Sequence, residues 1–116
     1  MGMQNPANAR ITTNADTELI AAPGLGRRIN IWSYTVDVEV AGTASLLRLE
    51  NGAGGNVLGT LDTADDNNKL DRAYHASDNS APARGYPLNE NAALNIETSG
   101  SGAAVVIVNV IYEILG

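Results

Sequence analysis

The sequence predicts an all-β domain, an antiparallel β-sandwich or jelly roll of about seven to nine short strands with an extended N-terminal arm. Three observations predict it. Apolar and polar residues alternate with period two in several short runs. Segments rich in glycine and asparagine separate those runs. No stretch carries a convincing helical period, and no internal repeat is visible.

Residues 1–9 are polar, contain Pro6 and lack periodicity, which predicts an arm ahead of a sandwich domain spanning residues 10–116. Arg10 to Thr13 and Thr17 to Ala21 are short β-like pieces split by Asn14-Ala15-Asp16. Pro23-Gly24-Leu25-Gly26 reads as a turn. From Arg27 to Ala41 the residues Trp32, Tyr34, Val36, Val38 and Val40 alternate with Ser33, Thr35, Asp37 and Glu39, the signature of a strand with one wet face. Ile29 and Ile31 stand on the opposite parity. That switch predicts either two covered faces or a bulge near Ile31.

Ala44 to Glu50 predicts a strand with Leu47 and Leu49 inward and Arg48 and Glu50 outward. The loop Asn51-Gly52-Ala53-Gly54-Gly55-Asn56 then turns it back through Val57 to Leu61. Asp62 to Pro87 is the least regular stretch, with a strand expected at Lys69 to Tyr74. Ala92 to Thr98 places Leu94 and Ile96 inward, and Ser99-Gly100-Ser101-Gly102 turns into the last strand, Ala104 to Leu115.

That last strand is apolar on both faces. One parity holds Ala104, Val106, Val108, Val110, Tyr112 and Ile114; the other holds Val105, Ile107, Asn109, Ile111, Glu113 and Leu115. A two-layer sandwich supplies a cover for one face only. Each aliphatic side chain gains roughly 1.5–3 kcal/mol on full burial, so the second face calls for a partner. Either the chain's own N-terminal segment covers it, or Val105, Ile107, Asn109 and Ile111 form a subunit interface. Asn109 in the middle of an interface near a symmetry axis would hydrogen-bond its own copies and set the register.

The composition narrows the function classes. The 116 residues carry a net charge of −6, only 17% charged residues, 12 glycines, no phenylalanine and no cysteine. Seven basic residues with no run longer than Arg27-Arg28 argue against nucleic acid and against an anionic membrane surface. Without cysteine there is neither a disulfide framework nor a thiolate metal site. The N-terminus does not resemble a signal peptide, and the apolar C-terminal run is too short to cross a bilayer, so a cytoplasmic site of synthesis is expected.

Catalytic chemistry finds little support, and no cofactor is expected. His75-Ala76-Ser77-Asp78 holds the residue types of a hydrolase triad, but triads are assembled from separated segments. Asp62, Asp65 and Asp66 have no EF-hand spacing and read as a solvated turn, with no metal. Asp37 and Glu39 read as the wet face of a strand, and Gly52 to Gly55 opens no helix. Arg84 and Tyr86, in Arg84-Gly85-Tyr86-Pro87, are candidates for contact with a partner.

Two stretches carry a resemblance. Ile11-Thr12-Thr13 with Gly26-Arg27-Arg28-Ile29-Asn30-Ile31-Trp32-Ser33-Tyr34 is one. Leu94-Asn95-Ile96-Glu97-Thr98-Ser99-Gly100-Ser101-Gly102 followed by Val105 to Glu113 is the other. Over roughly Arg10 to Leu115 the chain resembles the small jelly-roll capsid decoration, or cement, proteins of tailed bacteriophages. The resemblance implies a homotrimer on the outer capsid surface of the virion that clamps neighbouring major capsid protein subunits. It implies shell contact through Gln4, Asn5, Asn8 and Arg10. Similar sandwiches occur in phage fibres and tail-tip parts, so a module that recognises a host glycan is the alternative expectation.

Overall fold

Period-two alternation becomes a two-layer sandwich in the computed structural model, which describes residues 4–74 and 85–116. Among the described residues nine strands follow in order: β1 (Asn5–Ile11), β2 (Asp16–Ile20), β3 (Arg28–Val40), β4 (Leu46–Asn51), β5 (Asn56–Asp62), β6 (Lys69–Ala73), β7 (Tyr86–Pro87), β8 (Leu94–Ser99) and β9 (Val105–Leu115). One sheet has the order β1-β9-β3-β6, with the two-residue β7 also paired to β3. The other has the order β2-β8-β4-β5. Every pairing is antiparallel. The chain crosses between sheets at each step from β1 to β4, turns back in the β4–β5 hairpin, and crosses again. This is the strand order of a jelly roll. No helix is present among the described residues.

The core lies between the sheets. Ile29, Ile31, Val36, Leu47, Ile96, Val106, Val108 and Val110 are fully enclosed. Their parities are those the sequence predicts, with one adjustment. The β3–β9 register slips between Ile31 and Ser33, leaving Trp32 as the extra residue. That bulge lets Ile29 and Ile31 face the same core as Tyr34, Val36 and Val38, although their sequence parities differ. Trp32, expected toward the core, is half-buried at the bulge.

The N-terminal segment is the main departure from expectation. Asn5–Ile11 is not a detached arm. It pairs with β9 along its whole length, from Asn5 opposite Tyr112 to Ile11 opposite Val106. Ala7, Ala9 and Ile11 turn toward the core while Pro6, Asn8 and Arg10 face out. Proline offers no N–H to a ladder, and β1 is an edge strand, where that is tolerated. In the irregular stretch, β6 forms where a strand is expected, with Leu70 and Tyr74 packed against the core. Leu88, just beyond it, is completely buried. His75, Asp78 and Arg84 lie outside the described residues.

The end of the sandwich opposite the N-terminus is tied by its turns. Gly42 N–H donates to the Thr63 carbonyl at 3.0 Å, and Thr63 N–H donates to the Ser45 carbonyl at 3.0 Å. Thr43 N–H donates to the Gly102 carbonyl at 2.9 Å. A side chain at Gly42 would press on backbone: its Cβ would stand 2.5 Å from the Gly102 oxygen and 2.8 Å from the Ala104 nitrogen. Gly42→Ala is therefore expected to cost about 1–3 kcal/mol by overpacking. Leu47→Ala, which opens a hole in the enclosed core, is expected to cost about 2–5 kcal/mol. Denaturant midpoints at unchanged slope measure both.

Candidate assembly surface

The register places the outer face of the β1-β9-β3-β6 sheet in three rows. Pro6, Ile111, Ser33 and Ala73 form one, and Asn8, Asn109, Thr35 and Asp71 the next. Arg10, Ile107, Asp37 and Lys69 form the third. Facing residues in antiparallel ladders share a side, so each row is a strip of adjacent side chains. Val105, Ile107 and Ile111 are half-buried on this face, and Asn109 is exposed at its middle. Among the described residues, the N-terminal segment does not lie over them. It runs beside β9 as a neighbouring strand and leaves the apolar strip open.

Of the four residues expected to touch a shell, Gln4 and Asn8 are exposed and Asn5 is half-buried. Arg10 is exposed but committed. Its guanidinium makes a bidentate pair with Glu39, with Nε to Oε2 at 3.0 Å and the second nitrogen to Oε1 at 3.2 Å. Because β9 lies between β1 and β3, the pair crosses the strand beside Ile107. The hydrogen bond from Arg10 holds the Glu39 carboxyl below its ordinary range, and Glu39 raises Arg10 in turn. Glu39 is thus more than the solvated partner of Asp37 that alternation predicts.

Tyr86 is 39% exposed and packs on Tyr74, with ring centroids 5.3 Å apart. Tyr74 packs in turn on buried Tyr34 at 6.2 Å, and the Arg72 guanidinium lies 5.1 Å from the Tyr74 ring centre. Burial, and then Tyr34, push the Tyr74 phenol up to about 12. This platform forms across β3, β6 and β7, so only chain folding assembles it. In the acidic loop, the Asp62 and Asp65 carboxylates accept N–H bonds from Ala64 and Asn67, both at 2.9 Å. These are turn-forming contacts of the kind aspartate makes with the backbone two residues on.

Sequence reading missed a cluster on the other sheet. Asp16, Glu97 and Arg48 share a row across β2, β8 and β4. Oxygens of Asp16, Glu50 and Glu97 lie within 4.8 Å of one another, close enough to hold a cation between them. The chain's own groups offset part of the repulsion. Asn95 donates to Asp16 at 2.8 Å, Gly54 N–H to Glu50 at 3.2 Å, and Arg48 stands 3.8 Å from Glu97. Glu50 is 2% exposed although its strand parity faces outward, because the β4–β5 loop folds back over it. Its spacing gives no local signal, since the three carboxylates come from three strands.

Burial raises the Glu50 pKa, and the nearby Asp16 and Glu97 charges add to the rise. A carboxyl raised in the folded state favours folding fully below its unfolded pKa, and that contribution is lost as pH rises through the folded value. Glu50→Gln keeps the oxygen that Gly54 uses and removes the charge. Its melting temperature is expected to exceed the wild type's at pH 7, with the gain shrinking toward pH 4. Thermal unfolding across that range checks this; a variant less stable at pH 7 contradicts it.

No protein-family model matches the chain, and no curated protein matches its sequence. Its structure is similar to a chain in the acidic stable capsid structure of Helicobacter pylori bacteriophage KHP30. The TM-score is 0.64 at 14% identity, and the match covers 100% of this chain and 99% of that one. At that identity the likeness is one of fold, and it extends over the whole domain.

Proposed function

We propose that this chain is a non-enzymatic structural virion protein. In this reading it binds the outer surface of a phage capsid as a homotrimer and cements neighbouring major capsid protein subunits. The open apolar strip of β9 carries the reading: Val105, Ile107 and Ile111 stand half-exposed around Asn109, on a strand already paired on both edges. A second copy would cover that strip, and cyclic symmetry would bring copies of Asn109 within mutual reach. The fold shared with a chain of a phage capsid structure supports the reading, as does the net charge of −6, which suits a surface away from packaged DNA. Gln4, Asn5, Asn8 and Arg10 remain the proposed shell contacts, with Arg10 acting alongside Glu39. Several weak contacts on one trimer would act as a multivalent ligand. Synthesis in the host cytoplasm belongs to the same reading.

A second reading has its own support. The exposed Tyr86–Tyr74–Arg72 platform suits a fibre or tail-tip module that recognises a host glycan, with Tyr86 and neighbouring Arg84 as partner contacts. Tyr86→Ala would then abolish sugar binding measured by calorimetry.

Light scattering at micromolar concentration separates the possibilities. The wild type is expected at the mass of a trimer, and Ile107→Asp at the mass of a monomer. A monomeric wild type, or an unchanged mass in the variant, removes β9 from assembly. Regular occupancy on an icosahedral shell, seen by electron microscopy of the native particle, tests the cementing role itself.

A further inference from the structure

The turn between β2 and β3 presents Leu25, which at 84% exposure is the most exposed large apolar side chain among the described residues. The turn is built rather than loose. Arg27 N–H closes it on the Gly24 carbonyl at 3.1 Å, and Gly26 has the positive φ, 76°, that the third position of a type II turn requires. Leu25 therefore occupies the second, outermost position. The segment ahead of β8 straps it from below. Asn91 Oδ1 accepts the Gly24 N–H at 2.8 Å, and the Glu90 carboxylate accepts the Gly26 N–H at 2.8 Å. Asn91 N–H donates to the Arg27 carbonyl at 2.8 Å, and the Arg28 guanidinium donates to the carbonyl of buried Leu88 at 3.2 Å.

The N–H groups of both residues flanking Leu25, Gly24 and Gly26, are thus fixed by side chains from one segment. An apolar residue held rigidly in water loses little freedom when it docks, which is what makes an anchor effective. Arg27 beside it is exposed and forms no ion pair among the described residues, in a chain whose net charge is negative. The β3–β9 register sets Arg28 opposite Leu115, and the β1–β9 register sets Asn5 opposite Tyr112. The tip therefore lies at the same end of the sandwich as Gln4 and Asn5.

We infer that the β2–β3 turn is a preformed anchor for a capsid shell subunit, with Leu25 seated in an apolar pocket and Arg27 facing carboxylates on its rim. The inference deepens the virion reading above and rests on it. The test is co-sedimentation of the full chain with phage particles assembled without it. Leu25→Asp is expected to weaken binding roughly thirtyfold, the loss typical of a central anchor, while keeping the wild-type melting temperature and solution mass. Leu25→Met is expected to bind as the wild type does, and Arg27→Glu to bind more weakly and with less sensitivity to salt. Wild-type binding by Leu25→Asp overturns the anchor and leaves the virion reading standing. A changed solution mass in Leu25→Asp also overturns it, since the occupant is then a second copy. Failure of the wild type to bind any particle overturns both.

Discussion

The long antiparallel ladder between β3 and β9 is the constraint on which the rest depends. It runs from Arg28 opposite Leu115 to Val40 opposite Val105, and β1, β6 and β7 attach to its two strands. Its register decides which residues meet in the core and which stand outside. The bulge at Trp32 is part of that decision. Without it Ile29 and Ile31 would face away from the layer that encloses Val36 and Val108, because a one-residue slip turns every side chain over. A second slip, between Val38 and Val40, ends the regular pairing where Glu39 reaches across to Arg10.

The two outer faces that result are chemically unlike. The sheet containing β9 shows a strip of branched aliphatic side chains around one asparagine, bordered by Asp37, Lys69 and the Arg10–Glu39 pair. The sheet containing β8 shows a charged patch in which Asp16, Glu50 and Glu97 are held together by Asn95, Arg48 and the Gly54 amide. An apolar strip gains from being covered, whereas the charged patch keeps its hydrogen-bond partners within the chain and retains part of its mutual repulsion. This asymmetry directs the assembly reading to one face. The ends of the sandwich divide in a similar way. One carries Leu25 on a strapped turn near the N-terminus, and the other is closed by backbone bonds among the turns at Gly42, Thr63 and Gly102.

Much of this was legible along the chain because alternation is a local property. Leu47 and Leu49, Leu94 and Ile96, and Val106, Val108 and Val110 are all buried as their spacing requires. The parity switch at Ile31 left two covered faces or a bulge as the options, and the β3–β9 register takes the bulge. The N-terminal strand was harder to see, since its inward residues Ala7 and Ala9 are small and Pro6 suggests a break. Their alternation with Asn8 and Arg10 was the available signal, and pairing with β9 converts it into a strand. The burial of Glu50 had no signal in its own segment, because its cover comes from a folded-back loop and its neighbours from other strands.

By itself, the sequence determined the β class, the turn positions, most inward residues of the long strands, with Trp32 and Val40 of β3 the exceptions, and the surplus apolar face of β9. All follow from side-chain periodicity and from backbone freedom at glycine, which neighbouring residues settle among themselves. Only the tertiary structure decided that the N-terminal segment pairs beside β9 instead of covering it. It alone decided that three carboxylates meet, that Arg10 is tied to Glu39, and that Leu25 stands on a rigid tip. Each of these joins residues far apart in the chain. Such contacts are set by register and sheet order, which local patterning does not encode.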